Sequence, residues 1–331
     1  MTDKKDDFIW AVLLHFGANM WCDQPIVRYE TGEDLSKLTD EDLALNTASD
    51  RLRCDETVWH RFTERMSKGG LNMVVIDVGE GLQLKSHPEL AVKGSWAIDR
   101  FRAELARLRG LGLEPIPKLN FSAAHDIWLK DYSRMLSTPE YHRVCTDVIT
   151  EIAEIFDKPR FFHLGYDEEN WKCQRFNLHA AVRQGELWWS DFLRISGVVE
   201  KLGIRPWIWS DYCWGDNKDE FIRRMPKSVL QSNWYYGEGF MESKQEKSRM
   251  RAQRFIDLAE AGFDQIPCGS NYGTDANFGK LVRFCDKEVG SERLMGYLMA
   301  PWFFTVPGRH ERKALEGIDL AVAAKIARER K

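Results

Sequence analysis

What most constrains this chain is a rhythm. Eight short apolar, β-rich runs alternate with eight amphipathic helical stretches along its 331 residues. The runs are Phe8–Phe16, Met73–Val78, Glu114–Asn120, Phe161–Gly165, Pro206–Ser210, Val229–Trp234, Gln265–Gly269 and Leu294–Pro301. Helical periodicity falls between them, near Thr57–Lys68, Ile98–Leu108, Pro139–Phe156, Leu187–Leu202, Lys218–Arg224, Arg249–Ala261, Asn277–Val289 and Ala314–Arg328. Glycines at Gly69–Gly70, Gly110–Gly112, Gly203 and Gly262 supply the helix stops. Eight strand–helix units predict an α/β fold, a single (β/α)8 TIM barrel occupying residues 1–331. A doubly wound sheet is the alternative. It carries a Gly-rich phosphate loop after its first strand, where this chain has only Gly17 between Phe16 and Trp21.

Composition narrows the function classes. Lys plus Arg number 47 against 51 Asp plus Glu, a net charge of −4, which argues against a nucleic-acid partner. Phe8–Phe16, the longest apolar stretch, is too short to span a bilayer. Met1–Asp7 is net acidic, unlike the start of a signal peptide. The seven cysteines are odd in number and scattered, so free thiols in a reducing, cytoplasmic compartment are expected. Neither they nor the eight histidines show zinc spacing, and no metal or cofactor is expected. Leu14-His15-Phe16-Gly17 lacks the His-x-His of an amidohydrolase-type metal barrel.

A barrel gathers its chemistry where the strands end. Polar and aromatic residues cluster there: His15–Trp21, Asp77–Glu80, Lys118 with Asn120 and His125, Asp167–Glu169, Trp209 with Asp211 and Trp214, Trp234–Tyr236, Asn271 with Tyr272 and Asp275, and Trp302. The sharpest segment is His163-Leu164-Gly165-Tyr166-Asp167-Glu168-Glu169. Neighbours on a strand point to opposite faces, so Asp167 and Glu168 share a site only where the backbone has turned. Two such carboxylates repel, which predicts one raised and one low pKa: a protonated Glu168 as general acid beside an ionised Asp167. An acidic first turn of a helix would give the same letters. Of the 13 tryptophans, Trp209, Trp214, Trp234, Trp302 and Trp21 fall at strand ends; Trp188-Trp189, Trp10, Trp59 and Trp96 read as packing.

Three segments in order, Leu71–Leu90, Arg109–His125 and His163–Glu168, resemble the catalytic domain of glycoside hydrolase family 20, the β-N-acetylhexosaminidases. That family has His-x-Gly-Gly-Asp-Glu after its fourth strand; here Tyr166 replaces the second Gly. The resemblance implies a substrate-assisted retaining mechanism, an exception to the two-carboxylate rule. It makes Asp167 and Glu168 the catalytic pair, with Asp167 orienting the acetamido group and Glu168 as acid and base. Tyr272 would hydrogen-bond the acetamido carbonyl. Trp209, Trp234 and Trp302 would wall the pocket, with Asp211 and Asp275 among its binding residues. His125 and His163 would hold the acids in place. The implied partner is a carbohydrate.

The departures concern sugar recognition. The family's arginine after the first strand is absent from Gly17-Ala18-Asn19-Met20, and its Trp-x-Glu after the eighth strand reads Trp302-Phe303-Phe304. The third-strand acids are replaced by Lys118 and Asn120, and Tyr-x-Asp is stretched to Tyr272-Gly273-Thr274-Asp275. An altered glycone or substituent, a longer glycan held by aromatics, or a barrel that binds glycans without cleaving them all fit this pattern.

Overall fold

The computed structural model describes residues 8–26 and 39–330. Met1–Asp7, read above for a leader, and Lys331 lie outside them. Eight parallel strands form the wall: β1 Ile9–His15, β2 Met73–Asp77, β3 Glu114–Lys118, β4 Phe161–His163, β5 Arg205–Trp209, β6 Leu230–Ser232, β7 Cys268–Gly269 and β8 Gly296–Met299. They neighbour one another in the order β6-β5-β4-β3-β2-β1-β8-β7. Isolated parallel bridges Gln231–Gln265 and Trp234–Cys268 link the two ends. The result is the (β/α)8 barrel that the rhythm predicts. β7 is shorter than Gln265–Gly269 because Pro267 has no N–H to give the ladder.

Nine α-helices lie among the described residues: α1 Asp40–Asn46, α2 Glu56–Lys68, α3 Ile98–Gly110, α4 Pro139–Ile155, α5 Gly185–Lys201, α6 Lys218–Arg224, α7 Glu246–Glu260, α8 Asn277–Glu288 and α9 Arg309–Glu329. All but α1 match the predicted helical stretches to within a few residues. α1 was not expected; Thr39 caps it by accepting from Asp42 N–H while the Asp42 carboxylate accepts from Thr39 N–H. α4 shows how the helices form and dock. Thr138 caps it, Pro139 opens it, and Tyr141, Val144, Cys145, Val148, Ile149 and Ile152 make one buried stripe. No described helix is long and apolar enough to cross a membrane.

Strand parity sorts the core into two. Trp10, Val12, Leu14, Val74 and Ile76 pack outward against the helices, together with Trp59, Trp96, Trp188 and Trp189, as expected for packing residues. Ile9, Ala11, Leu13, Met73, Val75, Ile116, Phe161 and Trp207 fill the barrel. The same parity carried to the strand ends places His15, Asp77, Lys118 and His163 inside. They are partners in register, His15 with Asp77, Asp77 with Lys118, and Lys118 with His163. This row is buried. Lys118 Nζ donates to Asp77 Oδ2 at 2.6 Å, and His15 Nδ1 lies 3.4 Å from the same oxygen. Burial would raise the Asp77 pKa, yet Lys118 and His15 bring it down to about 2. Burial and the neighbouring Lys118 drive His163 well below the ordinary imidazole value.

Candidate active site

Above this row lies a cavity of about 470 Å³ lined by His125, Asp167, Glu168, Trp209, Trp234, Trp302, Tyr236, Tyr272, Trp21, Cys173, Phe176 and Arg251, among others. Backbone conformation brings the acid pair together. β4 stops at His163 because Gly165 takes φ 73°, Tyr166 72° and Glu168 54°. These left-handed residues turn the chain so that adjacent carboxylates enter one space. Neither Asp167 nor Glu168 is in a helix, so the acidic-first-turn reading does not apply. Each non-glycine residue held there costs about 1–3 kcal/mol. Tyr166 is buried against Trp188 and Phe192, with the Arg183 guanidinium over its ring. That packing offsets the strain of a tyrosine where the family has glycine. Gly165 has no such freedom, since a Cβ there would lie 2.0 Å from Asn120 Oδ1.

Asn120, at the end of the β3 run, fixes Asp167. Its Nδ2 donates to Asp167 Oδ1 at 2.7 Å, while its Oδ1 accepts from Ser122 N–H and Tyr166 N–H. His125 stands over both acids, with Nε2 at 3.5 Å from Asp167 Oδ2 and 3.5 Å from Glu168 Oε2. Asp211 receives the Glu168 N–H at 2.8 Å and the Trp234 Nε1–H at 3.2 Å. Trp302, also left-handed at φ 61°, donates its Nε1–H to Tyr236 Oη at 2.9 Å.

The electrostatics correct one expectation. Burial pushes Glu168 up, but the hydrogen bond and charge of His125, helped by Arg251, outweigh it and leave the carboxyl below its ordinary value. His125 shows the reverse balance: burial would lower it, and Asp167 and Glu168 raise it. The carboxyl that is raised directly beside the pair is Asp211, which burial and the charge of Asp167 bring up to about 7. The site thus favours the protonated form of His125 and the ionised form of Glu168.

Trp209, Trp234, Trp302 and Trp21 line the cavity as expected, and Trp214 packs behind Trp234 at 4.4 Å. Tyr272 is at the rim, 53% exposed. Three predicted residues do not line the cavity: His163 is buried, its ring 4.5 Å from Trp209, Asp211 sits behind Glu168 and Trp234 as their hydrogen-bond acceptor, and Asp275 is exposed. Three residues carry roles that the sequence did not assign. Glu169 is clamped by Arg183 at 2.6 Å and accepts from Ala123 N–H, tying the β3 and β4 loops together. Asn120 and Arg251 are the others. A carboxylate-anchored loop needs a partner far along the chain, and no local motif marks Arg183 or Arg251.

One imidazole and two carboxylates, from His125, Asp167 and Glu168, place three donor atoms within 4.8 Å of one another, a set able to meet a single divalent cation. Asn120 and His125 already give both acids a partner, so the same atoms equally form an oriented acid pair.

No protein-family model matches the sequence, and no curated protein matches it. Solved structures do resemble it. Dispersin B aligns with a TM-score of 0.55 at 13% identity, over 82% of this chain and 95% of its own. An exo-β-N-acetylglucosaminidase of glycoside hydrolase family 20 from Vibrio harveyi, in complex with N-acetylglucosamine, aligns with 0.59 at 14%, over 94% and 54%. A mutant β-hexosaminidase of Streptomyces plicatus, in complex with its product, aligns with 0.59 at 11%, over 95% and 64%. The chain thus spans rather more than half the length of the latter two. Its barrel has the fold of the family 20 β-N-acetylhexosaminidases.

Proposed function

We propose that the chain is a single catalytic domain, a glycoside hydrolase acting from the chain end on N-acetylhexosamine-type sugars by a substrate-assisted retaining mechanism. The observation that carries this reading is the convergence of Asp167 and Glu168 under His125 in a cavity walled by Trp209, Trp234 and Trp302. Flat indoles suit the C–H faces of a sugar and exclude water.

In this mechanism the acetamido oxygen attacks the anomeric carbon as the glycosidic C–O bond breaks. The Glu168 carboxyl gives its proton to the leaving oxygen, and Asp167, held by Asn120, stabilises the charge that develops on the amide nitrogen. Water then attacks the anomeric carbon, its proton passes to Glu168, and the oxazolinium ring reopens. His125, 3.5 Å from Glu168 Oε2, orients that carboxyl and is placed to pass it a proton. Tyr272 closes on the acetamido carbonyl from the rim.

Chromogenic N-acetylglucosaminide and N-acetylgalactosaminide, assayed with wild type, Glu168→Gln and Asp167→Asn, test the proposal. Turnover that falls by at least 100-fold in Glu168→Gln supports it. Wild type and Glu168→Gln equally inert across a broad glycoside panel would exclude hydrolysis. The low Glu168 pKa favours a second reading, glycan binding without cleavage. Binding on a glycan array without turnover, weakened by Trp302→Ala, distinguishes that case.

A further inference from the structure

Beyond lending its charge to Glu168, Arg251 has no task in the proposed chemistry. It lies on α7 and lines the cavity beside Trp234. Its guanidinium carbon sits 4.1 Å from the Trp214 ring centroid and 4.9 Å from that of Trp234. Two indoles therefore hold the planar fork, and Asn233 anchors the backbone by donating to the Arg251 carbonyl. Yet among the described residues no carboxylate reaches ion-pair distance of the fork, and its buried Nε has no hydrogen-bond partner. An arginine enclosed in this way is ordinarily paired. Burial lowers its pKa in spite of Glu168 and Asp211, so the cation is short of counter-charge.

We infer that Arg251 is a specificity residue that receives an oxyanion substituent of the sugar, a carboxylate or a sulfate ester, through its bidentate fork. This rests on the carbohydrate reading above and deepens it. The neutral hydroxyl clamp expected after β1 and β8 is missing, and the row beneath the pocket has its one lysine bonded to Asp77. Among the described residues that line the cavity, Arg251 is the cation left for a ligand, apart from His125, which the acids occupy. The indoles that hold it also form the wall on which the sugar ring would stack, so one wall reads ring and anion together.

The test is calorimetric and needs no turnover. Methyl β-glycosides of N-acetylglucosamine, of its 6-sulfate and of glucuronic acid are titrated into wild type, Arg251→Gln and Arg251→Lys, with melting temperatures as a folding control. One anionic glycoside is expected to bind roughly 10- to 100-fold tighter than the neutral one, the worth of a charged hydrogen-bonded pair. Which anion wins separates carboxylate from sulfate. The preference should fall to about twofold or less in Arg251→Gln and survive partly in Arg251→Lys. The inference is overturned if the neutral sugar binds as well as both anions, or if the preference outlives Arg251→Gln; the carbohydrate reading then stands. Binding of none of the three overturns both.

Discussion

Asn120→Asp changes one atom, and its consequence can be worked out from the geometry. The substitution keeps the acceptor oxygen for Ser122 and Tyr166 but replaces the donor 2.7 Å from Asp167 Oδ1 with a second carboxylate oxygen. A charge-assisted bond worth about 1.5–3 kcal/mol is lost. Two buried carboxylates at that distance cannot both ionise, so the pair retains one proton to well above the free Asp value of about 3.9. The sign follows from proton counting. Above pH 4 the unfolded chain has released this proton and the folded pair has not. The variant therefore loses stability relative to wild type by about 1.4 kcal/mol per pH unit until the pair itself titrates. Between pH 5 and 7 that is about 3 kcal/mol, or about 4 °C of melting temperature in a domain of this size. Melting curves of both proteins at half-unit steps from pH 4.5 to 8 measure it. A gap that stays constant with pH refutes the claim that Asn120 sits in hydrogen-bond contact with an ionised Asp167. The shared proton also neutralises Asp167, and kcat on N-acetylglycosides is expected to fall by about 100-fold at pH 6.

Three further outcomes are expected. If His125 carries the proton for Glu168, kcat/KM falls on the alkaline side with an apparent pKa above the ordinary imidazole value of about 6.5, and His125→Gln moves that limb towards acid pH; a pH–rate profile whose limb stays in place contradicts the assignment. Asp126 is buried with Oδ2 unpartnered, and burial raises its carboxyl to about 8; because the unfolded chain ionises near 3.9, wild type loses on the order of 2–4 kcal/mol between pH 5 and 8 that Asp126→Asn retains, readable as a flatter denaturant midpoint against pH. Gly165→Ala adds a methyl 2.0 Å from Asn120 Oδ1 at φ 73°, and is expected to cost more than about 3 kcal/mol, with a loss of folded yield that Gly203→Ala, in open space, does not match.

The fold was legible because its signal is local. Each strand is a short apolar run and each helix an amphipathic stretch, their alternation specifies a parallel α/β fold, and eight units without a Gly-rich loop after β1 point to the barrel. The acid pair was legible as a motif, and the structure supplies its cause in the left-handed backbone at Tyr166 and Glu168. The polar row inside the barrel was open to the same reading: Ile9, Ala11 and Leu13 point inward, so His15 does too, and Phe161 predicts His163 by the same parity. The protonation pattern was not legible. It depends on Asp211 and Arg251, whose approach to Glu168 is set by packing between β5, β6 and α7. Asp275 shows the opposite failure, a residue carried over from the resemblance that the longer spacing after Tyr272 leaves on the surface.

That polar row also accounts for why the departures from the family pattern occur together. A buried ion stripped of its partner costs about 3–5 kcal/mol, so charges inside a barrel change as sets. Lys118 on β3 neutralises Asp77 on β2, and His15 on β1 leans on the same carboxylate. An arginine after β1 would bring a second cation towards an acid already paired, with no acid on β3 to receive it. Once Lys118 occupies the third strand, the floor carries no free charge with which to grip a hydroxyl. On the proposed reading, recognition then falls to the walls, to Trp209, Trp234 and Trp302 for the ring and to Arg251 for a substituent. Bond cleavage makes no such demand. Asp167 and Glu168 are held by Asn120, His125 and the turned backbone, all above the row. The two halves of the site are therefore physically separable, and the acid pair that we propose to be catalytic can persist while the floor beneath it is rebuilt.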